Sequence, residues 1–273
     1  MAVRCRPDLA ERVLAELVEL APGGVEEEHG ADHVEYAIYG AEGELPAMPA
    51  LRAAAGDGLI EVTTSQVPDD WADRWRDFHR PVLVGGRVWV RPSWEPPRPG
   101  AVDVVIDPGA AFGTGAHPTT RLCIELLLEL EAAGEATGPL ADWGTGSGVL
   151  AIAAAKLGWG PVVACDHEKY ALEAATANAD ANGVELDLRR INLRDDAPPL
   201  APTAVANLTG PVLRAVAGRL AGHAADEPRR LVCSGLLAKE AGDAARAFAS
   251  AGLKEAKRCA QGDWVALLVA REA

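Results

Sequence analysis

Residues 141–158 read ADWGTGSGVLAIAAAKLG, and this stretch decides the fold class. The residues PLADW (139–143) are typical of a buried strand, and VLAIAAAKLG (149–158) predicts a helix that ends at Gly158. Three glycines lie in the turn between them. Glycine lets the backbone approach a ligand closely, and the first turn of a helix offers unpaired N–H groups. The stretch therefore predicts a nucleotide-type cofactor at a strand–loop–helix junction.

The spacing of the glycines separates two classes of cofactor. The dinucleotide fingerprint G-x-G-x-x-G requires glycine at position 149, where this sequence has Val149. The pattern here is D-x-G-x-G-x-G, formed by Asp142, Gly144, Gly146 and Gly148. An acid two residues before the first glycine suits a cofactor with a cationic amino-acid end, whose ammonium Asp142 would hold directly or through water. The spacing favours S-adenosylmethionine (SAM), and an NAD-dependent oxidoreductase is the alternative.

Two further polar residues end predicted strands of the same sheet. Asp166 lies 22 residues after Gly144 (166 − 144), where a carboxylate can accept hydrogen bonds from both ribose hydroxyls of a nucleotide. Asn207 ends the fourth strand, and ligands of open α/β sheets bind beyond these carboxyl ends. An isolated Asn before a turn is usually a turn former. Beside a cofactor loop, its amide could instead accept a hydrogen bond from an attacking amine and aim the amine at a methyl group.

The surrounding pattern defines the fold of the C-terminal part. From about residue 101 onwards, predicted strands and helices alternate, which implies a parallel sheet with helices on both faces. The last segments, 253–261 and 263–271, read as a hairpin through Gly262 that adds antiparallel strands at one edge. We therefore predict a Rossmann-like α/β methyltransferase sheet with a terminal antiparallel hairpin, spanning residues 101–273.

The N-terminal part reads as a separate small domain. Residues 1–66 show the order β-α-β-β-α-β of a ferredoxin-like α+β domain, with an amphipathic first helix over 8–20. Residues 67–100 then read as a linker. It comprises a helix with Trp71, Trp75 and Phe78 on one face, a hairpin around Gly85-Gly86 and a proline-rich connector.

Composition limits the classes of partner and site. With 40 acidic and 26 basic residues in 273, the net charge of −14 suits a basic protein partner and opposes direct nucleic-acid binding. The five cysteines form no C-x-x-C pair, so neither a disulfide framework nor a metal site is expected. No apolar run reaches membrane-spanning length and the N-terminus lacks an apolar signal core. We predict a cytoplasmic protein that does not contact a membrane.

A second glycine loop, AFGTGAHPTT (111–120), reveals a family resemblance. Together, DPGAAFGTGAHPTTRLC (107–123), the 141–158 stretch, ACD (164–166) and VANL (205–208) resemble the SAM-dependent ribosomal protein L11 methyltransferase family (PrmA). Weaker similarities are DDWADRWR, SGLL and WVAL, at 69–76, 234–237 and 264–267. The resemblance covers most of the chain. Trp143 departs from the family pattern, which usually has a smaller residue there.

The resemblance implies specific roles for residues of both loops. Thr120, Gly144, Asp166 and Asn207 match the family's SAM contacts, and Phe112, Gly113, Thr114 and Gly115 would close over the methionine end or the adenine. His117 could act as a base near the transfer site or could orient its loop by hydrogen bonding. No metal is implied.

The resemblance also implies a reaction. The family methylates lysine ε-amines and the N-terminal α-amine of ribosomal protein L11, and its ferredoxin-like domain holds the substrate. Alternatives are a SAM-dependent lysine methyltransferase acting on another basic protein, a small-amine methylase, a nucleic-acid methylase and a non-catalytic binding module. The acidic net charge and the absence of an aromatic-proline tetrapeptide after Asn207 oppose the nucleic-acid methylase.

Overall fold

The computed structural model divides the chain into two compact units, Met1–Asp73 and Arg74–Ala273. The structure describes residues 1–10, 13, 17, 26–30, 33–38, 59–64, 80–107, 115–221 and 228–271. The predicted helix over 45–56 and the linker helix with Trp71, Trp75 and Phe78 lie outside these residues. The domain boundaries after residues 66 and 100 stay predictions.

The first unit contains a four-stranded antiparallel sheet. Its strands are β1 (Ala2–Cys5), β2 (Glu26–His29), β3 (Val34–Ala37) and β4 (Leu59–Thr63). They lie in the order β2-β3-β1-β4, with β1 paired to β3 and β4. This is the strand order that two interleaved β-α-β halves produce, as the ferredoxin-like pattern predicts. Of the predicted first helix, the described residues Ala10, Val13 and Leu17 are helical and buried.

The second unit is an α/β sandwich around a seven-stranded sheet. The helices are α1 (Pro118–Ala132), α2 (Val149–Leu157), α3 (Lys169–Asn182), α4 (Gly210–Ala221) and α5 (Ala238–Ser250). The sheet strands are β8 (Leu140–Trp143), β9 (Val162–Asp166), β10 (Leu186–Arg190), β11 (Thr203–Asn207), β12 (Arg230–Leu237), β13 (Lys254–Gln261) and β14 (Trp264–Ala270). Three earlier strands, β5 (Val82–Val84), β6 (Val88–Arg91) and β7 (Val102–Val105), form a small separate sheet.

The order of the large sheet is β10-β9-β8-β11-β12-β14-β13. The first five strands in this order are parallel, and β14 is antiparallel to both β12 and β13. The predicted Rossmann-like methyltransferase sheet with a terminal antiparallel hairpin is therefore confirmed. Because the first strand of this sheet, β8, is central, the carboxyl ends of β8, β9 and β11 lie side by side at one edge.

Two hydrophobic clusters cover the two faces of the sheet. One joins leucines of α1 and the alanine-rich α2 to the small sheet, and the other joins α4 and α5 to β11, β12 and β14. All four residues of β8 are buried, as expected for a strand with helices on both faces. Each fully buried Leu or Ile side chain contributes about 1.5–3 kcal/mol, so these layers hold the strand ends in fixed positions.

The small sheet belongs to the same packed unit. The predicted hairpin at Gly85-Gly86 is present, since β5 pairs with β6 in antiparallel orientation and β7 pairs with β6 in parallel. Arg91 fastens the proline-rich segment by pairing with both oxygens of Asp103, at 2.7 and 2.8 Å, and by donating to the Glu95 carbonyl at 2.7 Å. Within the described part of the chain, no helix combines the length and apolar character needed to cross a membrane.

Candidate active site

A cavity of about 470 Å³ lies at the carboxyl ends of the parallel strands. It is lined by residues from several separate chain segments: His117, Thr119, Thr120, Gly144, Thr145, Gly146, Val149, Leu150, Asp166, His167, Glu168, Ala171, Ile191, Asn192, Leu193, Arg194, Asn207, Leu208, Thr209, Val212, Gly235 and Trp264. Of the predicted site residues, the cavity brings together His117, Thr120, Gly144, Gly146, Asp166 and Asn207. Open α/β sheets bind ligands at this edge.

The loop between β8 and α2 requires its glycines. Gly144, Gly146 and Gly148 have φ of +77°, +52° and +85°, a region that other residues rarely adopt. A Cβ on Gly144 would lie 2.3 Å from Cδ2 of Leu208, so a side chain there would have to displace the end of the Leu208 side chain. Gly148 is the N-cap of α2 and does not line the cavity. Its predicted contact with the cofactor stays a prediction.

Asp142 holds this loop rather than lining the cavity. Its side chain is fully buried, and Oδ2 accepts hydrogen bonds from Oγ1 of Thr145 at 2.7 Å and from the backbone N–H of Ala151 at 3.2 Å. Burial raises the pKa of Asp142 to about 7, against an ordinary value near 3.8. Oδ1 is buried and has no hydrogen-bond partner among the described residues. The predicted contact of Asp142 with an ammonium stays a prediction, whereas its contacts show a role in fastening the loop to α2.

Asp166 ends β9 at the cavity wall and is 9% exposed. Its Oδ2 accepts a hydrogen bond from the backbone N–H of Gly146 at 3.0 Å, and its Oδ1 accepts one from Glu168 N–H at 3.1 Å. These bonds fix the carboxylate between the glycine loop and the turn into α3. Each carboxylate oxygen retains further lone pairs for a ligand hydroxyl. The position therefore suits the ribose role that the spacing predicted.

A hydrogen bond joins Asn207, at the end of β11, to Thr120 in α1 at the wall of the cavity. Nδ2 of Asn207 donates to Oγ1 of Thr120 at 3.3 Å, and Thr120 is fully buried. This bond orients the amide, so that Oδ1 of Asn207 remains as an acceptor; no described residue donates to it. The carbonyl oxygen of a fixed amide at a cavity wall can accept a hydrogen bond from an N–H group of a bound amine.

His117 is the N-cap of α1. Its Nδ1 is 2.7 Å from Oγ1 of Thr119 and accepts from Thr119 N–H at 3.3 Å, which occupies this nitrogen with the first turn of the helix. The ring lies edge-on to Trp264, with 4.9 Å between ring centroids. Burial and the nearby Arg121 lower the pKa of His117 below its ordinary 6.5. The lowered pKa favours the neutral form of the ring, and its contacts are those of a residue that orients the loop.

The rest of the second glycine loop is only partly described. Phe112, Gly113 and Thr114 lie outside the described residues, so their predicted contacts with the cofactor stay predictions. Gly115 has φ of +84°, and a Cβ there would lie 2.5 Å from Cγ1 of Val90. Gly115 does not line the cavity. Its described contact is with the small sheet.

Leu208, Gly235 and Trp264 are among the cavity residues that were not predicted as site residues from the sequence. Leu208 follows Asn207, Gly235 lies in β12, and Trp264 opens β14. The segments SGLL and WVAL were marked only as weak family similarities. The strand-end rule could have drawn attention to Leu208, since it follows β11 directly. No local signal separates Gly235 and Trp264 from the other glycines and tryptophans of the chain.

The cavity fits SAM on observations that do not depend on the family. Gly144 and Gly146 line the wall with backbone atoms, and a Cβ on Gly144 would lie too close to Leu208. Asp166 places a fixed carboxylate beside these two glycines. The volume lies within the range of about 300–1,000 Å³ typical of small-molecule sites. Gly144 and Gly146 would approach the amino-acid end of SAM, and Asp166 would hold its ribose.

Comparisons with known proteins show the family of the chain. The family model for ribosomal protein L11 methyltransferase (PrmA) matches residues 26–272. The chain is 41% identical over 228 residues to the ribosomal protein L11 methyltransferase of Pelotomaculum thermopropionicum, covering 82% of this chain and 72% of that protein. It is 41% identical over 223 residues to the same enzyme of Azotobacter vinelandii, covering 79% of this chain and 74% of that protein.

A solved structure supports the same assignment. The crystal structure of ribosomal protein L11 methylase from Lactobacillus delbrueckii subsp. bulgaricus matches with a TM-score of 0.63 at 29% identity. The match covers 71% of this chain and 99% of that one. The predicted class of enzyme, a SAM-dependent methyltransferase, and SAM as the cofactor are confirmed. The chain belongs to the ribosomal protein L11 methyltransferase (PrmA) family.

Proposed function

We propose that the protein methylates ribosomal protein L11 on lysine ε-amines and on the N-terminal α-amine, with SAM as the methyl donor. The observation that carries the proposal is Asn207, an amide fixed by Thr120 at the wall of a cavity that also contains the glycine loop and Asp166. The relatives that match most of this chain are named ribosomal protein L11 methyltransferase. Family membership thus supports L11 as the acceptor rather than a small amine.

The chemistry required of the protein is mainly positioning. When bound, SAM supplies an electrophilic methyl group. An amine can attack only as the neutral base, along a short and well-aligned approach, and such orientation accounts for a large share of the rate enhancement. Oδ1 of Asn207 would accept a hydrogen bond from the acceptor amine, and the carbonyl of Leu208 in the next residue would accept a second. Two acceptors fix the direction of the nitrogen lone pair.

Two titratable residues that line the described part of the cavity, His117 and Asp166, are already engaged in hydrogen bonds within the protein. His117 is the N-cap of α1, and its Nδ1 accepts a hydrogen bond from Thr119 N–H. The lowered pKa of the ring makes it a weak base. Asp166 accepts hydrogen bonds from two backbone N–H groups. We therefore assign deprotonation of the ammonium to solvent before the amine enters the cavity, and we assign His117 a positioning role.

Charge supports a basic protein as the acceptor. The chain carries a net charge of −14, which attracts a basic partner over distances of about one Debye length, roughly 8–10 Å at physiological salt. In this proposal the first unit, with its ferredoxin-like strand order, holds L11 while the second unit transfers the methyl group. The proposed location is the cytoplasm, where ribosomal proteins are made.

Calorimetric titration with SAM and, in parallel, with NAD tests the cofactor. Mass spectrometry of purified L11 after incubation with the enzyme and SAM tests the acceptor. We expect binding of SAM only and mass gains of L11 in steps of one methyl group. The Asn207→Ala variant, measured at saturating SAM, should transfer the methyl group about 100-fold more slowly. SAM binding by the wild type without any mass gain of L11 would contradict L11 as the acceptor and favour another basic protein.

A further inference from the structure

Gly235 lies in a bulge of β12 at the wall of the cavity. The pairing of β12 with β14 shifts register between Cys233 and Leu236, so the bulge spans Ser234 and Gly235. Gly235 has φ of +86°, which disfavours any side chain there. Bulges are frequent beside active sites, where they redirect the chain locally. The bulge in β12 lies next to the loop that follows Asn207.

The bulge is in close contact with the backbone of Leu208. A Cβ on Gly235 would lie 2.3 Å from the carbonyl oxygen of Leu208, 2.8 Å from its carbonyl carbon and 3.0 Å from its nitrogen. All three are backbone atoms, so no side-chain rotation could relieve the collision. The N–H of Leu208 in turn donates to the carbonyl of Ser234 at 3.0 Å. The Leu208 backbone is therefore held by the hydrogen bond that it donates to Ser234, and its carbonyl lies in the space that a Cβ on Gly235 would need.

The side chain of Leu208 contacts the opposite wall. Its Cδ2 would lie 2.3 Å from a Cβ on Gly144, the first glycine of the loop that follows β8. Leu208 thus touches Gly144 with its side chain and Gly235 with its carbonyl, and all three residues line the cavity. Leu208 thus links the glycine loop after β8, on the cofactor side, to the bulge in β12, on the acceptor side.

We propose that Gly235 is a positioning residue for methyl transfer. Because it has no Cβ, the Leu208 carbonyl can lie at the cavity wall beside Asn207, where it accepts a hydrogen bond from the methyl-accepting amine. This inference rests on the proposed function, since it concerns the acceptor side of the same site. Gly235 does not touch the reacting atoms itself and acts through Leu208.

The bulge also has its own anchor. Oγ of Ser234, which is fully buried, donates to the carbonyl of Val265 at 3.0 Å. This bond ties the bulged segment of β12 to β14. Removing the hydroxyl loosens the position of Gly235 without adding any atom to it, which provides a second and gentler perturbation.

The first test compares Gly235→Ala with Gly262→Ala. Gly262 also has positive φ, +59°, but has open space around it in the β13–β14 turn, so its variant measures backbone strain without collision. For both variants, calorimetry gives the Kd of SAM, and methylation of L11 gives kcat and KM. We expect Gly262→Ala to stay within about two-fold of the wild type in all three. We expect Gly235→Ala to keep the Kd of SAM but to lose about 100-fold in kcat.

Each other outcome has a defined meaning. A kcat of Gly235→Ala equal to that of Gly262→Ala would overturn the proposal, and so would a parallel loss of SAM affinity, since the effect would then not be specific to the acceptor. If Gly235→Ala shows no cooperative thermal transition, Ser234→Ala replaces it, with an expected loss of about ten-fold in kcat at unchanged SAM affinity. An unchanged kcat in Ser234→Ala would overturn the proposal. If wild-type protein fails to methylate L11, the proposed function itself fails, and this inference falls with it.

Discussion

Asn178 in α3 donates a hydrogen bond from Nδ2 to the backbone carbonyl of Ser147, at 2.8 Å. Its Oδ1 accepts from the backbone N–H of Asp107 at 3.1 Å, and the side chain is 5% exposed. One amide thus joins the glycine loop to the segment that follows β7. Its partners lie 31 and 71 residues away in the sequence.

Asn178→Ala should destabilise the second unit. The variant leaves the buried carbonyl of Ser147 unpaired, whereas the N–H of the exposed Asp107 can bond to water, so the free energy of unfolding should fall by about 1–3 kcal/mol. Urea denaturation measures this. Thr176→Ala on the same helix is the control, because its hydroxyl bonds only to Leu172 at an exposed position. A loss in Asn178→Ala no larger than in the control would refute the joining role.

The raised pKa of Asp142 predicts that the free energy of unfolding falls as the pH rises. Its pKa is about 7 in the folded protein and near 3.8 in an ordinary environment, so between these values the folded state retains a proton that the unfolded state releases. The contribution is fully present below pH 3.8 and is lost as the pH rises through 7. The loss is on the order of 4 kcal/mol.

Asp142→Asn should remove this dependence. One oxygen of the amide can still accept from Thr145 and Ala151, since both bonds go to the same oxygen of Asp142. Denaturation from pH 4 to 8 should show a flatter profile and higher relative stability at pH 8. Asp187→Asn is the control. Arg189 lowers the pKa of that exposed carboxylate, so its pKa shift is opposite in direction to that of Asp142. An identical fall in stability from pH 4 to 7 in Asp142→Asn and wild type would refute the assignment.

Asp166→Ala should weaken SAM binding. The change removes the acceptor for the ribose hydroxyls, at about 1–3 kcal/mol, which corresponds to a Kd about 5- to 150-fold higher. Calorimetry measures the Kd. Asp180→Ala removes the same charge from an exposed position of α3 and should leave the Kd unchanged. Unaltered SAM affinity in Asp166→Ala would exclude the ribose role.

His117→Asn distinguishes a base from an N-cap. Asn is also a good N-cap, so the helix start should survive, whereas His117→Ala should lose about 1 kcal/mol of stability. If His117 only orients its loop, His117→Asn should retain most of kcat. A base would instead contribute about 10²–10⁴-fold. A loss of that size in both variants, together with a changed pH–rate profile, would establish His117 as the base.

Removal of residues 1–66 should separate binding from transfer. The second compact unit begins at Arg74, so the shortened chain keeps all residues of the cavity. We expect a cooperative thermal transition and an unchanged Kd for SAM, but no methylation of L11. Calorimetry and mass spectrometry measure the two properties on the same preparation. Normal transfer by the shortened chain would contradict substrate recognition by the first domain.

Sequence reasoning predicted residues for both sides of the site, and several of them line the cavity. Gly144, Asp166 and Asn207 were predicted from spacing alone, because the carboxyl ends of adjacent parallel strands must meet at one edge of the sheet. Asp142 was predicted to hold the ammonium of SAM, which stays a prediction, and the structure shows that its Oδ2 accepts from Thr145 and Ala151. The sequence pattern places Asp142 at the loop, but it does not indicate which neighbouring groups its carboxylate contacts.

The sequence by itself determined the alternation of strands and helices in the C-terminal part, the strand–loop–helix junction and the family. These follow from periodicity and from glycines whose positive φ is a local property of the backbone. The tertiary structure alone decided that Leu208 lies between Gly144 and Gly235, and that Asn178 joins Ser147 to Asp107. Such contacts link residues far apart in the chain, and they exist only because the packed helices bring the strand ends within van der Waals distance. Local preferences carry no information about that distance.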